Sequence, residues 1–179
     1  MRPFEALDRR VLHEWAAWRL VERDFRDPLG TSFARTFVES PGVVAIAAVD
    51  ERRRLVMVRQ YRPALDMTLW EIPAGMRDVD GESPLECARR ELQEESGYVA
   101  SEWQEIGRVA QSPGTSNSIA ELFLARGLVP GESSPQGPEE TSSTIHMVDI
   151  DEAVSMVERG EVINSLAVIG ILRSAAFLR

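Results

Sequence analysis

With 179 residues, 44% hydrophobic and 27% charged, the chain is long enough to bury the core of one compact domain and short for two. Its net charge of −9 excludes a nucleic-acid surface that tracks phosphates, because such binding rests on arginine and lysine neutralising the backbone. An anionic ligand must then be met by a few local arginines or by a divalent cation. No apolar run reaches the roughly 20 residues of a membrane-spanning helix, and the opening Met1-Arg2-Pro3-Phe4-Glu5 lacks the apolar core of a signal peptide, so a cytoplasmic protein is expected.

In chain order, residues 17–26 and 31–39 read as extended, joined by the reverse turn Asp27-Pro28-Leu29-Gly30, which predicts an N-terminal antiparallel hairpin over residues 1–40 ahead of a main domain over 41–179. Val43 to Val49 is a continuous apolar run of strand length. Leu55 to Val58 follows after the charged turn Asp50-Glu51-Arg52-Arg53, which marks the centre of a buried sheet. Further strands are expected near 103–110, 119–125 and 143–149. Ser83-Pro84-Leu85-Glu86 is a helix start, with a serine N-cap, a proline in the first turn and a glutamate three residues on, and Gly97 is the stop. Two more helices are predicted, over Asp151 to Arg159 before Gly160 and over Ser165 to Phe177 after Asn164. Val129 to Ser143, rich in proline, glycine, serine and glutamate, has no periodicity and reads as a long loop. Strands with few helices predict an α/β fold, a mixed sheet flanked by helices. The single cysteine, Cys87, has no disulfide partner and reads as a small buried helix residue.

On the helix Pro84 to Ser96, at about 100° per residue, Leu85, Ala88 and Leu92 form one stripe and Glu91, Glu94 and Glu95 the adjoining ridge. Like charges three and four apart cost an isolated helix roughly 0.2–0.5 kcal/mol per pair. Two arrangements satisfy the ridge: a solvated face relieved by Arg90, or a cluster of hard oxygen ligands for magnesium or manganese. The surrounding text decides between them. Gly75 is followed by Glu82 and, after seven more residues, by Arg90-Glu91-Leu92-Gln93-Glu94-Glu95-Ser96-Gly97-Tyr98.

Residues 75–98 resemble the Nudix box at nearly every fixed position, and the segments around it resemble the ADP-ribose pyrophosphatase group of Nudix hydrolases. Two positions depart from the pattern. Six residues separate Gly75 from Glu82, one more than usual, with Asp80-Gly81 able to absorb the extra residue in a turn, and Tyr98 takes a usually aliphatic slot. The resemblance implies a Nudix fold and makes Glu91 and Glu95 direct Mg2+ ligands, with Mn2+ substituting, Glu94 a third or water-mediated ligand, and the carbonyl of Ala74 a further one. Gly75, Glu82, Arg90 and Gly97 would brace loop and helix.

Outside the box, Arg59-Gln60-Tyr61-Arg62 and Leu69-Trp70-Glu71-Ile72-Pro73-Ala74-Gly75 resemble the group's strand and approach segment, which implies substrate contacts from Arg59, Arg62 and Glu71, with Arg62 on a phosphate. Pro113-Gly114, sixteen residues past Gly97, sits where the group has its proline, but Thr115-Ser116-Asn117-Ser118 replaces the acidic pair that often follows. The long loop carries Glu139 and Glu140, of which Glu140 is the chosen base, with Glu94 a further catalytic candidate. Trp15 and Arg35 in the N-terminal segment are substrate candidates, Trp15 by stacking on adenine, and that segment resembles the group's dimerisation element. The implied reaction is Mg2+-dependent hydrolysis of a nucleoside diphosphate sugar by a homodimer, ADP-ribose giving AMP and ribose 5-phosphate. UDP-glucose, GDP-mannose and a non-catalytic ADP-ribose-binding module are the alternatives.

Overall fold

A computed structural model describes residues 3–178, so Met1, Arg2 and Arg179 lie outside it, including the first two residues of the segment read above for a leader. Contacts divide the chain into two units, one of Met1–Gly42 with Ala110–Ile119 and the other of Val43–Val109 with Ala120–Arg179. Among the described residues no helix is long and apolar enough to cross a membrane.

The first unit is a three-stranded antiparallel sheet of β1 (Glu5–Trp15), β2 (Trp18–Arg26) and β3 (Ser32–Glu39) in that order. The turn from Asp27 to Gly30 falls where the sequence predicts it, with Gly30 N–H donating to the Asp27 carbonyl at 3.0 Å. The sequence predicted two strands there and the fold has three. β1 escapes because it is almost wholly exposed and so shows no apolar alternation. Its turn into β2 also lacks the usual glycine or asparagine, since Ala16 takes the positive φ of 44° itself. Residues 115–117 are tied to the end of β3 through Val38 N–H to the Thr115 carbonyl and Asn117 N–H to the Val38 carbonyl.

The second unit is built on a four-stranded sheet in the order β7 (Ala74–Met76), β4 (Val43–Ala48), β9 (Ile119–Pro130), β8 (Tyr98–Ala110), with β4 and β9 parallel and β7 antiparallel to β4. Alternation along β4 feeds two cores. Val44, Ile46 and Ala48 pack with Cys87, Ala88 and Leu92 of α1 (Pro84–Ser96). Ala45 and Ala47 pack with α3 (Ile150–Glu158) and α4 (Ser165–Phe177). Helices therefore cover both faces of a mixed sheet, the Nudix arrangement that the sequence implied. A second antiparallel sheet runs β10 (Thr144–Asp149), β5 (Arg54–Arg62), β6 (Met67–Glu71). Within the long loop, Gly137–Thr141 forms the short helix α2.

Candidate metal and diphosphate site

The acidic ridge lies on α1, whose start is fixed as the sequence predicts. Ser83 Oγ accepts from Glu86 N–H while the Glu86 carboxylate accepts from Ser83 N–H, and Pro84 opens the helix. Gly97 ends it in the left-handed region at φ 70°. The extra residue between Gly75 and Glu82 is taken up in a turn over Val79 to Glu82. Glu82 N–H donates to the Val79 carbonyl at 3.2 Å, and Gly81 has φ 80°, the sign a type II turn demands at its third position.

Gly75, on β7 beside β4, makes the seat for the ridge. A Cβ there would stand 1.9 Å from the Glu91 carboxyl carbon, so only glycine leaves room for that carboxylate. Glu95 approaches the same strand and accepts from the Ala74 N–H at 3.1 Å. Arg90 holds the other side. Its Nε and Nη2 donate to the two oxygens of Glu82 at 2.9 and 3.0 Å, and its Nη1 donates to Glu91 at 2.6 Å and to Glu94 at 3.2 Å. Arg90 thus draws Glu91 and Glu94 while the Ala74 N–H draws Glu95, and among the described residues no three acidic, histidine or cysteine side chains stand as a ready-made ligand group.

The electrostatics show what this packing leaves uncompensated. Burial pushes the Glu91 carboxyl up to about 6, Arg90 opposes that shift, and Glu94 and Glu140 add to it. Burial also holds Glu95 well above the usual carboxylate range; the Ala74 N–H and Arg62 oppose this, and Glu91 and Glu140 reinforce it. Two buried carboxylates are thus short of positive charge at a point where a glycine has opened space, and their hard oxygens suit a divalent cation. Cys87 fits its sequence reading, with a buried thiol raised to about 12 by its burial and by Glu91.

The remaining candidates are placed by strand alternation and by the α2 loop. Val58, Gln60 and Arg62 share one face of β5 and Arg59 points to the other, over the Trp70 ring at 5.3 Å. Arg62 is gripped by Glu71, Nε to Oε1 at 2.8 Å and Nη2 to Oε2 at 2.6 Å. Arg62 is held cationic first by Glu71, with smaller contributions from Glu95 and Glu140. Glu140 on α2 therefore acts on Arg62, Glu91 and Glu95 alike. The loop is fastened to α1 by Ser134 N–H on the Glu94 carbonyl at 3.0 Å and by Gln136 Nε2 on the Glu94 carboxylate at 3.3 Å, while Gln136 N–H donates to Glu140. Sequence reasoning passed over Gln136, since a lone glutamine in an aperiodic stretch carries no spacing signal. Trp15, Arg35, Pro113 and Gly114 belong to the first unit. There the Trp15 ring is stacked with that of His13 and, at a longer distance, with that of Trp18, and Arg35 lies over Phe33.

Comparison with known proteins agrees with this geometry. Residues 39–165 match the NUDIX domain family. The chain is 40% identical to an ADP-ribose pyrophosphatase of Mycobacterium tuberculosis (strain ATCC 25618 / H37Rv), over 94% of this chain and 82% of that protein. It is 36% identical to an ADP-ribose pyrophosphatase of Bacillus subtilis (strain 168), over 80% and 77%. A crystal structure of an ADP compounds hydrolase shares the fold at TM-score 0.83 and 18% identity, covering 99% of this chain and 95% of that one. The chain belongs to the Nudix family and is a Nudix hydrolase.

Proposed function

We propose that the protein hydrolyses the diphosphate bond of a nucleoside diphosphate sugar, with ADP-ribose the first substrate to test and AMP and ribose 5-phosphate the products. The observation that carries this reading is the pair of buried, undercompensated carboxylates, Glu91 and Glu95, seated on the Gly75 strand. The names of the two relatives support the substrate class.

Glu91, Glu95, Glu94 and the Ala74 carbonyl would hold Mg2+, with Mn2+ able to replace it. A cation bound there would neutralise the diphosphate and lower the pKa of water. Arg90 must then release Glu91 while keeping Glu82, its two-point partner. Arg62 holds a phosphate oxygen, and Glu140 takes the proton from the attacking water. Trp15, Arg35, Pro113 and Gly114 contact the nucleoside and sugar, and Trp15 stacks on the base. The chain works as a cytoplasmic homodimer through residues 1–40. Phe4, Val11, Leu12 and Trp15 support this, standing exposed on or beside the long edge strand β1, a surface that proteins ordinarily cover.

The test is a substrate panel with Mg2+, comprising ADP-ribose, UDP-glucose and GDP-mannose, with products resolved by chromatography. AMP and ribose 5-phosphate should appear fastest from ADP-ribose, and Glu140→Gln should reduce kcat on the order of 10²–10⁴-fold while Glu139→Gln stays near wild type. Tight binding of ADP-ribose without any product would overturn the proposal in favour of a binding module.

A further inference from the structure

We propose that Glu71 is a positioning residue for Arg62 and does not itself meet the substrate, an inference that rests on reading Arg62 as the phosphate-holding group. Glu71 is 3% exposed, and both of its oxygens are occupied by the guanidinium, at 2.8 and 2.6 Å. A carboxylate in that state has no free edge for a ligand, and its charge would repel a diphosphate.

The Arg62 side chain is 42% exposed. Glu71 pairs with Val58 across the ladder, so Arg62 reaches back along β5 to meet it on the shared face. A guanidinium carries five N–H donors in a rigid fork. The grip uses Nε–H and one Nη2–H, which leaves both Nη1 hydrogens and the second Nη2 hydrogen to donate. An exposed arginine samples many rotamers, and fixing it before the ligand arrives removes that ordering from the binding step. Glu71 also lies three residues before Ala74, whose N–H holds Glu95, so one corner of chain sets both the arginine and the ridge.

Two measurements on the full-length protein test this. In the ligand-free protein the Arg62 Nε–H should give an exchange-protected 15N resonance, and Glu71→Gln should move it towards the position of a free arginine. That signature is independent of catalysis, so a wild-type protein inactive on the whole panel would sink the functional reading while leaving the grip to be judged by the resonance. With the best panel substrate, Glu71→Gln should lower kcat/KM on the order of 10- to 100-fold, as a displaced positioning group does. In the Arg62→Ala background the same replacement should change kcat/KM by no more than about twofold and should raise Tm, because it removes a buried charge left without its partner. An unmoved resonance, or a loss in the double variant equal to the product of the two single losses, would overturn the proposal.

Discussion

At the scale of single residues, the site depends on a glycine that makes room and on carboxylates whose burial outweighs the positive charge beside them. Gly75→Ala would drive a methyl into the Glu91 carboxylate, the flexible end of its side chain, so the carboxylate moves and the fold survives. The expected result is a Tm within a few degrees of wild type, with hydrolysis reduced on the order of 10²-fold, checked by thermal unfolding and by the product assay. The charge deficit gives a second expectation. Folding raises the Glu91 carboxyl from the ordinary 4.5 to about 6, against Arg90 and with Glu94 and Glu140, so its stabilising contribution is full below the ordinary value and is lost as pH rises through about 6. At about 1.4 kcal/mol per pH unit this amounts to about 2 kcal/mol, and Glu95 extends the loss upwards. The carboxylates that folding depresses, Glu82, Glu86 and Glu39 among them, change stability only below the ordinary range and leave this window clear. Cation-free protein should therefore lose Tm between pH 5 and pH 8, and Mg2+ should restore it at pH 8 and not at pH 5. A flat Tm across that range would contradict the charge deficit.

Elements with a period or a cap were legible in the sequence. α1 was readable from Ser83, Glu86 and Gly97, α4 from Asn164, and β4 from its apolar run, because each carries its signal within a few residues. β1 and α2 were not. β1 buries almost nothing, and α2 is five residues with no capping bond from the Gln136 side chain. Within the site, the acidic ridge and its glycine stood out by spacing along one helix and one strand. The placement of Arg59 and Arg62 on opposite faces follows from the register of β5, and the grip of Glu71 joins residues nine apart that only strand pairing brings together. That Glu140 accepts from the Gln136 N–H is likewise a matter of which way a loop turns, which composition does not encode.

For the whole molecule, the Nudix fold supplies a rigid sheet with the ridge helix on one face, while the first unit offers an edge strand with exposed apolar side chains. If that edge pairs two copies, sedimentation should report a dimer, and an Asp replacement at Val11 or Leu12 should shift the protein towards monomer without lowering the Tm of the second unit's core. An active wild-type monomer would rule out the dimer.

Everything proposed for catalysis depends on a divalent cation held by Glu91 and Glu95 against a diphosphate. The most direct measurement is the initial rate of AMP release from ADP-ribose across a Mg2+ titration, for wild type and Glu95→Gln. The expected outcome is a wild-type rate that vanishes with chelator and rises with Mg2+, and a folded Glu95→Gln protein slower by roughly 10³-fold or more at every concentration. Turnover that persists in chelator, or a Glu95→Gln variant of near-normal rate, would contradict it.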